Sequence, residues 1–277
     1  MHPLELVVAT AGVACAFAWI ASLVTRDYSW VDRSWSILPV IYVVEYAAMA
    51  HFRDARLDVM AFVVLVWGVR LTFNFARKGG YSGVEDYRWE VLRSKMTKWQ
   101  FQLFNFFFIV GYQNFILVII TLPAFVAYQH QSNSLGAGFL LCAAVFLACT
   151  VGETVADQQQ WDFHQRKSAE VAAGRIPDPQ FCQNGLFRYS RHPAYFFELA
   201  QWWLVFIMGA IAADWLFEIS LIGPILLTSL FIGSTRFTES ITLSKYPDYA
   251  RYQSSTSAII PWLSRDRAGA TLPRTAE

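Results

Sequence analysis

Four stretches of the sequence combine acids, bases and aromatic residues at spacings that could support chemistry. They cover residues 29–35, 79–89, 153–164 and 185–198, and each lies beside an apolar run. At the end of an apolar run a carboxyl group can be partly buried, which raises its pKa, and charge-assisted hydrogen bonds become stronger. We therefore expect these stretches to hold the functional residues.

The first two stretches place carboxylates beside aromatic rings. Asp32 lies between Trp30 and Trp35, where it could act as an acid at the mouth of a cavity. The second stretch opens with glycines that permit close backbone approach, and Glu85 and Asp86 follow them. The alternatives are an interfacial aromatic belt for the first stretch and a solvated loop with an amphipathic helix for the second.

The third stretch predicts a helix with one polar face. Glu153, Asp157, Gln160 and His164 follow an i, i+4, i+7, i+11 pattern, which puts them on the same side of a helix. His164 and two carboxylates could suggest a metal site, but no further histidine or cysteine ligand is evident in the sequence. We therefore expect no metal and interpret this face as a contact surface for adenosine or ribose.

The fourth stretch has the residue types of a phosphate site. Arg188, Arg191 and His192 precede a helix that is predicted to begin near Pro193, since proline suits the first helical turn. Basic side chains at a helix N-terminus bind anions well. The alternative is a collar of basic residues that only sets membrane orientation. No glycine-rich dinucleotide fingerprint or Walker motif occurs, so a nucleotide would bind without a Rossmann domain.

The composition requires these stretches to be positioned by membrane helices. Of 277 residues, 55% are hydrophobic and only 16% are charged, against about 25% charged in soluble domains. The mean hydropathy is +0.33, which excludes ordinary soluble and disordered proteins. The net charge of +1 argues against a nucleic-acid partner. Four cysteines without a Cys-x-x-Cys pair indicate neither a disulfide framework nor a zinc site.

Apolar runs predict an all-α, polytopic membrane protein with a bundle of about seven transmembrane helices. The predicted spans are 4–24, 35–49, 59–75, 101–128, 136–156, 195–213 and 215–234. This arrangement puts nineteen of the 22 Lys and Arg residues on one side and two on the other. The positive-inside rule then predicts an external N-terminus and a cytoplasmic C-terminus. Several charged residues lie within or at the ends of these runs, among them Glu45, Arg70 and Glu198. They predict a polar cavity that opens to the cytoplasm.

Two C-terminal stretches resemble the C-terminal half of the steroid 5-alpha-reductase superfamily. They read GLFRYSRHPAYFFE from residue 185 and TRFTESITLSKYPDYARYQSSTSAIIP from residue 235. The stretches SWVDRSW, EDYRW and ETVADQQQWDF resemble its bacterial and plant members of unassigned function. The resemblance covers most of residues 28–262. It implies about seven transmembrane helices and an NADPH cavity that is formed mainly by the C-terminal half and opens to the cytoplasm.

Carried over by position, the resemblance implies cofactor-binding roles for nine residues. These are Asp157, Tyr189, Arg191, His192, Tyr195, Glu198 and Arg236, with Tyr246 and Tyr249 covering the cofactor. Ala194 stands where this branch often has asparagine, so one hydrogen bond to the cofactor would be missing or replaced. The steroid enzymes hold the substrate ketone with a glutamate and a tyrosine from their N-terminal half. Here Asp32 and Tyr87 are the candidate catalytic residues.

The resemblance implies an NADPH-dependent reductase of a carbon–carbon double bond in a lipid or steroid-like enone. We expect one transmembrane domain over residues 1–262, with 157–262 holding most of the cofactor site, and a disordered tail over 263–277. Membrane lipids and a lipid-like substrate would be its partners, in a bacterial inner membrane. The alternatives are an S-adenosylmethionine-dependent methyltransferase of the isoprenylcysteine carboxyl type, whose motifs are similar, and a non-enzymatic lipid-binding protein.

Overall fold

The computed structural model describes residues 2–263, which form twelve α-helices and no β-strand within that range. The helices are α1 (Pro3–Thr25), α2 (Trp30–Ser34), α3 (Leu38–Met49), α4 (Ala55–Arg77), α5 (Tyr87–Ser94), α6 (Lys98–Phe104), α7 (Gln113–Ile119), α8 (Leu122–Gln129), α9 (Ala137–Ala172), α10 (Pro193–Ala213), α11 (Ile222–Lys245) and α12 (Tyr249–Ser255). A π-helical segment, Asn105–Tyr112, joins α6 to α7. The prediction of an all-α fold is confirmed.

Six helical segments of the described residues are long and apolar enough to cross a membrane. They are Pro3–Thr25, Ala55–Arg77, Lys98–Gln129, Ala137–Ala172, Pro193–Ala213 and Ile219–Lys245. The chain is therefore an integral multi-pass membrane protein. The predicted span over 35–49 is not among these six segments. Its helix, α3, has 12 residues and is about 18 Å long, which is shorter than the hydrocarbon core of about 30 Å. The orientation of the termini, which assumed seven crossings, stays a prediction.

The first of two compact units runs to Thr150 and resumes over Leu199–Leu230. In this unit α3 packs against α4, α1 and α8. Trp67 of α4 and Trp202 of α10 are fully buried, with ring centroids 5.0 Å apart in an edge-to-face arrangement. Such pairs add to the stabilisation that comes from buried area. This unit, called unit 1 below, holds most of the apolar core.

The second compact unit, unit 2, comprises Val151–Glu198 and the chain from Phe231 to the last described residue. It contains the polar half of α9, the start of α10, the end of α11 and α12. Tyr249 and Tyr252 of α12 are buried, and both rings lie against Phe181 at centroid distances of 5.1 and 5.6 Å. The single domain over residues 1–262 stays a prediction. Of the predicted tail, residues 264–277 lie outside the described residues.

Candidate functional site

A buried carboxylate, Glu239, organises the polar side chains of unit 2. It lies in the last turns of α11 and is 6% exposed. Arg191 donates from Nε to its Oε1 at 2.5 Å and from Nη2 to its Oε2 at 3.0 Å. The Nε2 atom of His192 lies 3.1 Å from Oε1. A paired arrangement of this kind offsets the cost of burying two charges, but only while both partners are present.

Helix α12 completes this cluster with two further donors to the carboxylate. Tyr249 donates its hydroxyl to Glu239 Oε1 at 3.2 Å, and Gln253 donates Nε2 to Oε2 at 3.0 Å. Arg191 in turn donates Nη1 to the backbone carbonyls of Gln253 and Thr256. Burial lowers the pKa of Arg191, but the hydrogen bonds and charge of Glu239 raise it, and the net direction is upward. Every nitrogen of the Arg191 guanidinium group is thus engaged within the protein.

Residues 256–262 run alongside the segment that leads into α10. The backbone N–H of Arg191 donates to the carbonyl of Ser257 at 2.8 Å. The backbone N–H of Trp262 donates to the carbonyl of Tyr189 at 2.9 Å. These bonds pair backbone groups that belong to no helix ladder. They also hold the start of α10, which begins at Pro193 as predicted, against the chain after α12.

All nine predicted cofactor-binding residues lie in unit 2. They are Asp157, Tyr189, Arg191, His192, Tyr195, Glu198, Arg236, Tyr246 and Tyr249. Asp157 and Glu198 are buried, whereas Tyr189 and Arg236 are exposed. The structure gathers Arg191, His192 and Tyr249 around Glu239. The His192 ring stacks on Tyr195, with ring centroids 5.2 Å apart.

Tyr246 follows α11 and is tied to α9. Lys167 donates its ammonium group to the Tyr246 hydroxyl at 2.9 Å and lies 4.4 Å from the centre of that ring. The same ammonium group also donates to the backbone carbonyl of Gln180 at 2.5 Å. Tyr246 is therefore anchored by a cation–π contact and a hydrogen bond, which reduce its freedom to move over a ligand.

The polar face of α9 is helical as predicted, and its burial falls toward the C-terminus. Glu153 and Asp157 are 3% and 6% exposed, Gln160 is half-buried and His164 is exposed. Among the described residues no group of three or more His, Cys, Asp or Glu side chains could hold a metal ion. The buried end of this face adds two carboxylates to the interior of unit 2.

Asp32, a predicted catalytic residue, lies in unit 1 and joins the first two sequence stretches. Its Oδ2 accepts a hydrogen bond from Trp89 Nε1 at 2.8 Å. Arg88 Nη2 lies 3.9 Å from its Oδ1. Burial raises the pKa of Asp32, and the opposing effect of the Arg88 charge does not cancel it. A further bond from the backbone N–H of Asp86 to Ser29 Oγ, 2.9 Å long, ties the two stretches together.

The same two stretches are also joined through Glu85. It accepts the backbone N–H of Tyr28 at 3.0 Å and pairs with Arg93 Nη2 at 2.8 Å. Tyr87, the second predicted catalytic residue, is the first residue of α5, and its side chain is 46% exposed. The two predicted catalytic residues therefore occupy different environments, because Asp32 is bonded to the buried indole of Trp89 and Tyr87 is exposed.

The sequence interpretation did not single out Glu239, the residue that the unit 2 cluster surrounds. The signal for it was present, because Glu239 is an acid near the end of an apolar run, as Glu198 is. The sequence predicts that the last apolar run ends at Ser234, which leaves Glu239 outside it, whereas α11 continues to Lys245. Its partner Gln253 carries no signal of its own, since a glutamine in a polar segment is ordinarily solvated.

Comparisons with known proteins define the class to which the chain belongs. Residues 18–256 match the model of a family described as "Protein of unknown function (DUF1295)", so the chain belongs to that family. The family is a domain of the steroid 5-alpha-reductase-like superfamily, whose steroid reductases are oxidoreductases. No solved structure gives a significant match.

A fungal relative matches most of the chain. It is "Uncharacterized protein C594.04c" of Schizosaccharomyces pombe, which is 35% identical over 261 residues. The match covers 88% of this chain and 76% of the relative.

Proposed function

We propose that this protein is a membrane-embedded, NADPH-dependent reductase of a carbon–carbon double bond in a lipid or steroid-like enone. Membership of a family related to the steroid reductases supports the reaction class. The observation that carries the proposal is the cluster around Glu239, which holds Arg191, His192 and the start of α10 in one fixed arrangement. A rigid, polar segment at a helix N-terminus is suited to binding a nucleotide.

The donor groups of unit 2 fit a cofactor that bears phosphates and hydroxyls. The Oγ1 atoms of Thr235 and Thr238 are buried and have no hydrogen-bond partner among the residues that the structure describes. Such atoms are costly unless something binds them. Between them in sequence is Arg236, whose side chain is exposed, and Arg188 is exposed in the same unit. These four residues, with His192, are our candidates for contact with NADPH.

The chain's own residues would bind and orient the reactants. Bound NADPH would supply a hydride for the β-carbon of the enone, and the α-carbon of the resulting enolate would take a proton from water. Arg191 would act as a positioning residue rather than a direct phosphate ligand, because its guanidinium group is occupied by Glu239 and by backbone carbonyls. Asp32 and Tyr87 are the candidate acids that would polarise the substrate carbonyl by hydrogen bonding.

The proposal also includes the setting of the reaction. We place the protein in the bacterial and plant branch of the superfamily and in a bacterial inner membrane, with the cofactor site facing the cytoplasm. The excess of basic residues in the loops predicted to face inward supports that orientation. NADPH is a soluble cytoplasmic reductant, so a site on this side could be loaded directly.

Ligand-induced stabilisation tests the proposal without knowledge of the substrate. Purified protein in nanodiscs would be unfolded by heat with NADPH, NADH or S-adenosylmethionine present. A ligand that binds only the folded state adds about 2.7 kcal/mol at a hundredfold excess over its dissociation constant. We expect stabilisation by NADPH and none by S-adenosylmethionine. Stabilisation by S-adenosylmethionine alone would refute the reductase and favour the methyltransferase.

A further inference from the structure

A second polar site lies in unit 1, on one turn of α3. Tyr42, Glu45 and Tyr46 are spaced i, i+3 and i+4, so they share one face of the helix. Both tyrosines are fully buried. Thr10 of α1 donates its hydroxyl to Glu45 Oε1 at 2.7 Å, which fixes one side of the carboxylate.

Three oxygen atoms of this turn lack a hydrogen-bond partner among the described residues. They are Tyr42 Oη, Glu45 Oε2 and Tyr46 Oη, and all three are inaccessible to solvent. The Glu45 carboxylate lies within electrostatic range of both phenols. In the apolar interior of a membrane protein, polar groups left without a partner are strongly disfavoured. A small polar group that reached this turn would therefore be stabilised by hydrogen bonds to these oxygens.

The unpartnered oxygens specify the hydrogen-bonding character of that group. Each tyrosine can donate one hydrogen bond, and Glu45 Oε2 can accept one. An alcohol hydroxyl has two lone pairs that accept and one proton that it donates, so its hydrogen-bonding capacity matches that of the three atoms. A ketone would leave Glu45 Oε2 without a donor.

The surroundings of this turn favour a hydroxyl on an apolar molecule. Val43 and Ala47 of the same helix are fully buried, and the ring of Phe125 lies 5.7 Å from that of Tyr46. Ile41 and Ala48 of the same helix are exposed, so α3 also borders the surrounding lipid. A lipid alcohol could thus bring its hydroxyl to the tyrosines while its hydrocarbon stays in an apolar environment.

We propose that Tyr42, Glu45 and Tyr46 form a binding site for the hydroxyl group of a lipid alcohol. The site is independent of the proposed reductase activity, because it uses none of the residues assigned to NADPH or to the substrate carbonyl. Water, which also donates and accepts, is the competing occupant.

The test compares oleyl alcohol with its methyl ether, which accepts hydrogen bonds but donates none. The protein would be placed in phosphatidylcholine nanodiscs, whose lipids carry no hydroxyl, and apparent dissociation constants would be obtained from thermal stabilisation at increasing ligand content. We expect the wild-type protein to bind the alcohol about tenfold more tightly than the ether. The Tyr42→Phe/Tyr46→Phe double variant should lose this preference.

A matched control and two single variants make the result decisive. Tyr128→Phe removes a phenol from α8 outside the cluster and should leave the preference unchanged. Tyr42→Phe and Tyr46→Phe alone should each reduce the preference for the alcohol over the ether. These single variants replace the double variant in the test if the double variant does not fold. Equal binding of alcohol and ether, or an alcohol preference that survives in the double variant, would overturn the proposal. Binding of neither would overturn it too and leave water as the occupant.

Discussion

Arg191 shows how a residue's contacts change the role that its type suggests. An arginine beside a helix N-terminus predicts a phosphate contact, but here the guanidinium group forms a two-point pair with Glu239 and bonds to carbonyls after α12. Its side chain is 10% exposed. The primary effect of replacing it should therefore fall on the stability of unit 2, and its effect on cofactor affinity should follow from that.

Replacing Arg191 with alanine should destabilise the protein by about 3–5 kcal/mol, because it leaves the charge of Glu239 buried without its partner. Unfolding by denaturant in nanodiscs measures this change. The double variant Arg191→Met/Glu239→Gln removes both charges and should regain part of the lost stability. If the double variant is as unstable as the sum of the single variants Arg191→Met and Glu239→Gln, the pair is not the source of the effect.

Asp32 predicts a dependence of stability on pH. Burial raises its pKa in the folded protein, so the folded state binds this proton more tightly than the unfolded chain does. The stabilisation is fully present below the unfolded pKa of about 3.9 and is lost as the pH rises through the folded value. Asp32→Asn keeps an acceptor for Trp89 and should remove this pH-dependent contribution to the free energy of unfolding.

The check is the free energy of unfolding of wild type and Asp32→Asn, measured between about pH 4 and pH 8. The difference in stability, wild type minus variant, should fall as the pH rises. A difference that is constant over this range would mean that the pKa of Asp32 is the same in the folded and unfolded states.

At the scale of elements, glycines allow close packing between helices of unit 1. A Cβ atom at Gly209 of α10 would come within 2.7 Å of Pro123 Cβ in α8. One at Gly223 of α11 would lie 2.5 Å from the backbone oxygen of Ile119 in α7. Small residues at such crossings let membrane helices approach closely, which substitutes for the hydrophobic effect that lipid does not provide.

The packing predicts that Gly223→Ala destabilises the protein by about 1–3 kcal/mol, because a backbone atom cannot move aside as a side chain can. Gly233→Ala is the matched control on the same helix, since a Cβ atom there would meet nothing within 4 Å. Helix propensity should make the control neutral or slightly stabilising. Comparison of the two thermal midpoints measures the effect, and equal midpoints would rule out the close crossing.

At the scale of the whole molecule, the basic residues predict that the two termini face opposite sides of the membrane. This requires an odd number of crossings, whereas the described residues contain six long apolar helices and the short α3. Tags at each end, probed with protease on spheroplasts, distinguish the cases. We expect the N-terminal tag to be cleaved and the C-terminal tag to be protected. Protection of both tags would mean an even number of crossings.

Local signals made much of the architecture predictable from the sequence. The start of α10 at Pro193 and the long extension of α9 follow from a proline preference and a helical period, which act over a few residues. The cluster around Glu239 was not predictable, because it depends on how α12 and residues 256–262 pack against the start of α10. The short length of α3 was not predictable either. The apolar run begins at residue 35 but the helix begins at Leu38, and hydropathy does not show where a helix begins.

The most direct test of the account is the dissociation constant of NADPH for the wild-type protein and for Arg236→Ala. Arg175→Ala, which removes another exposed arginine of unit 2, is the control. We expect that NADPH binds the wild type, that Arg236→Ala weakens binding about tenfold or more, and that the control changes nothing. Wild-type protein that does not bind NADPH, or an affinity that Arg236→Ala leaves unchanged, would contradict it.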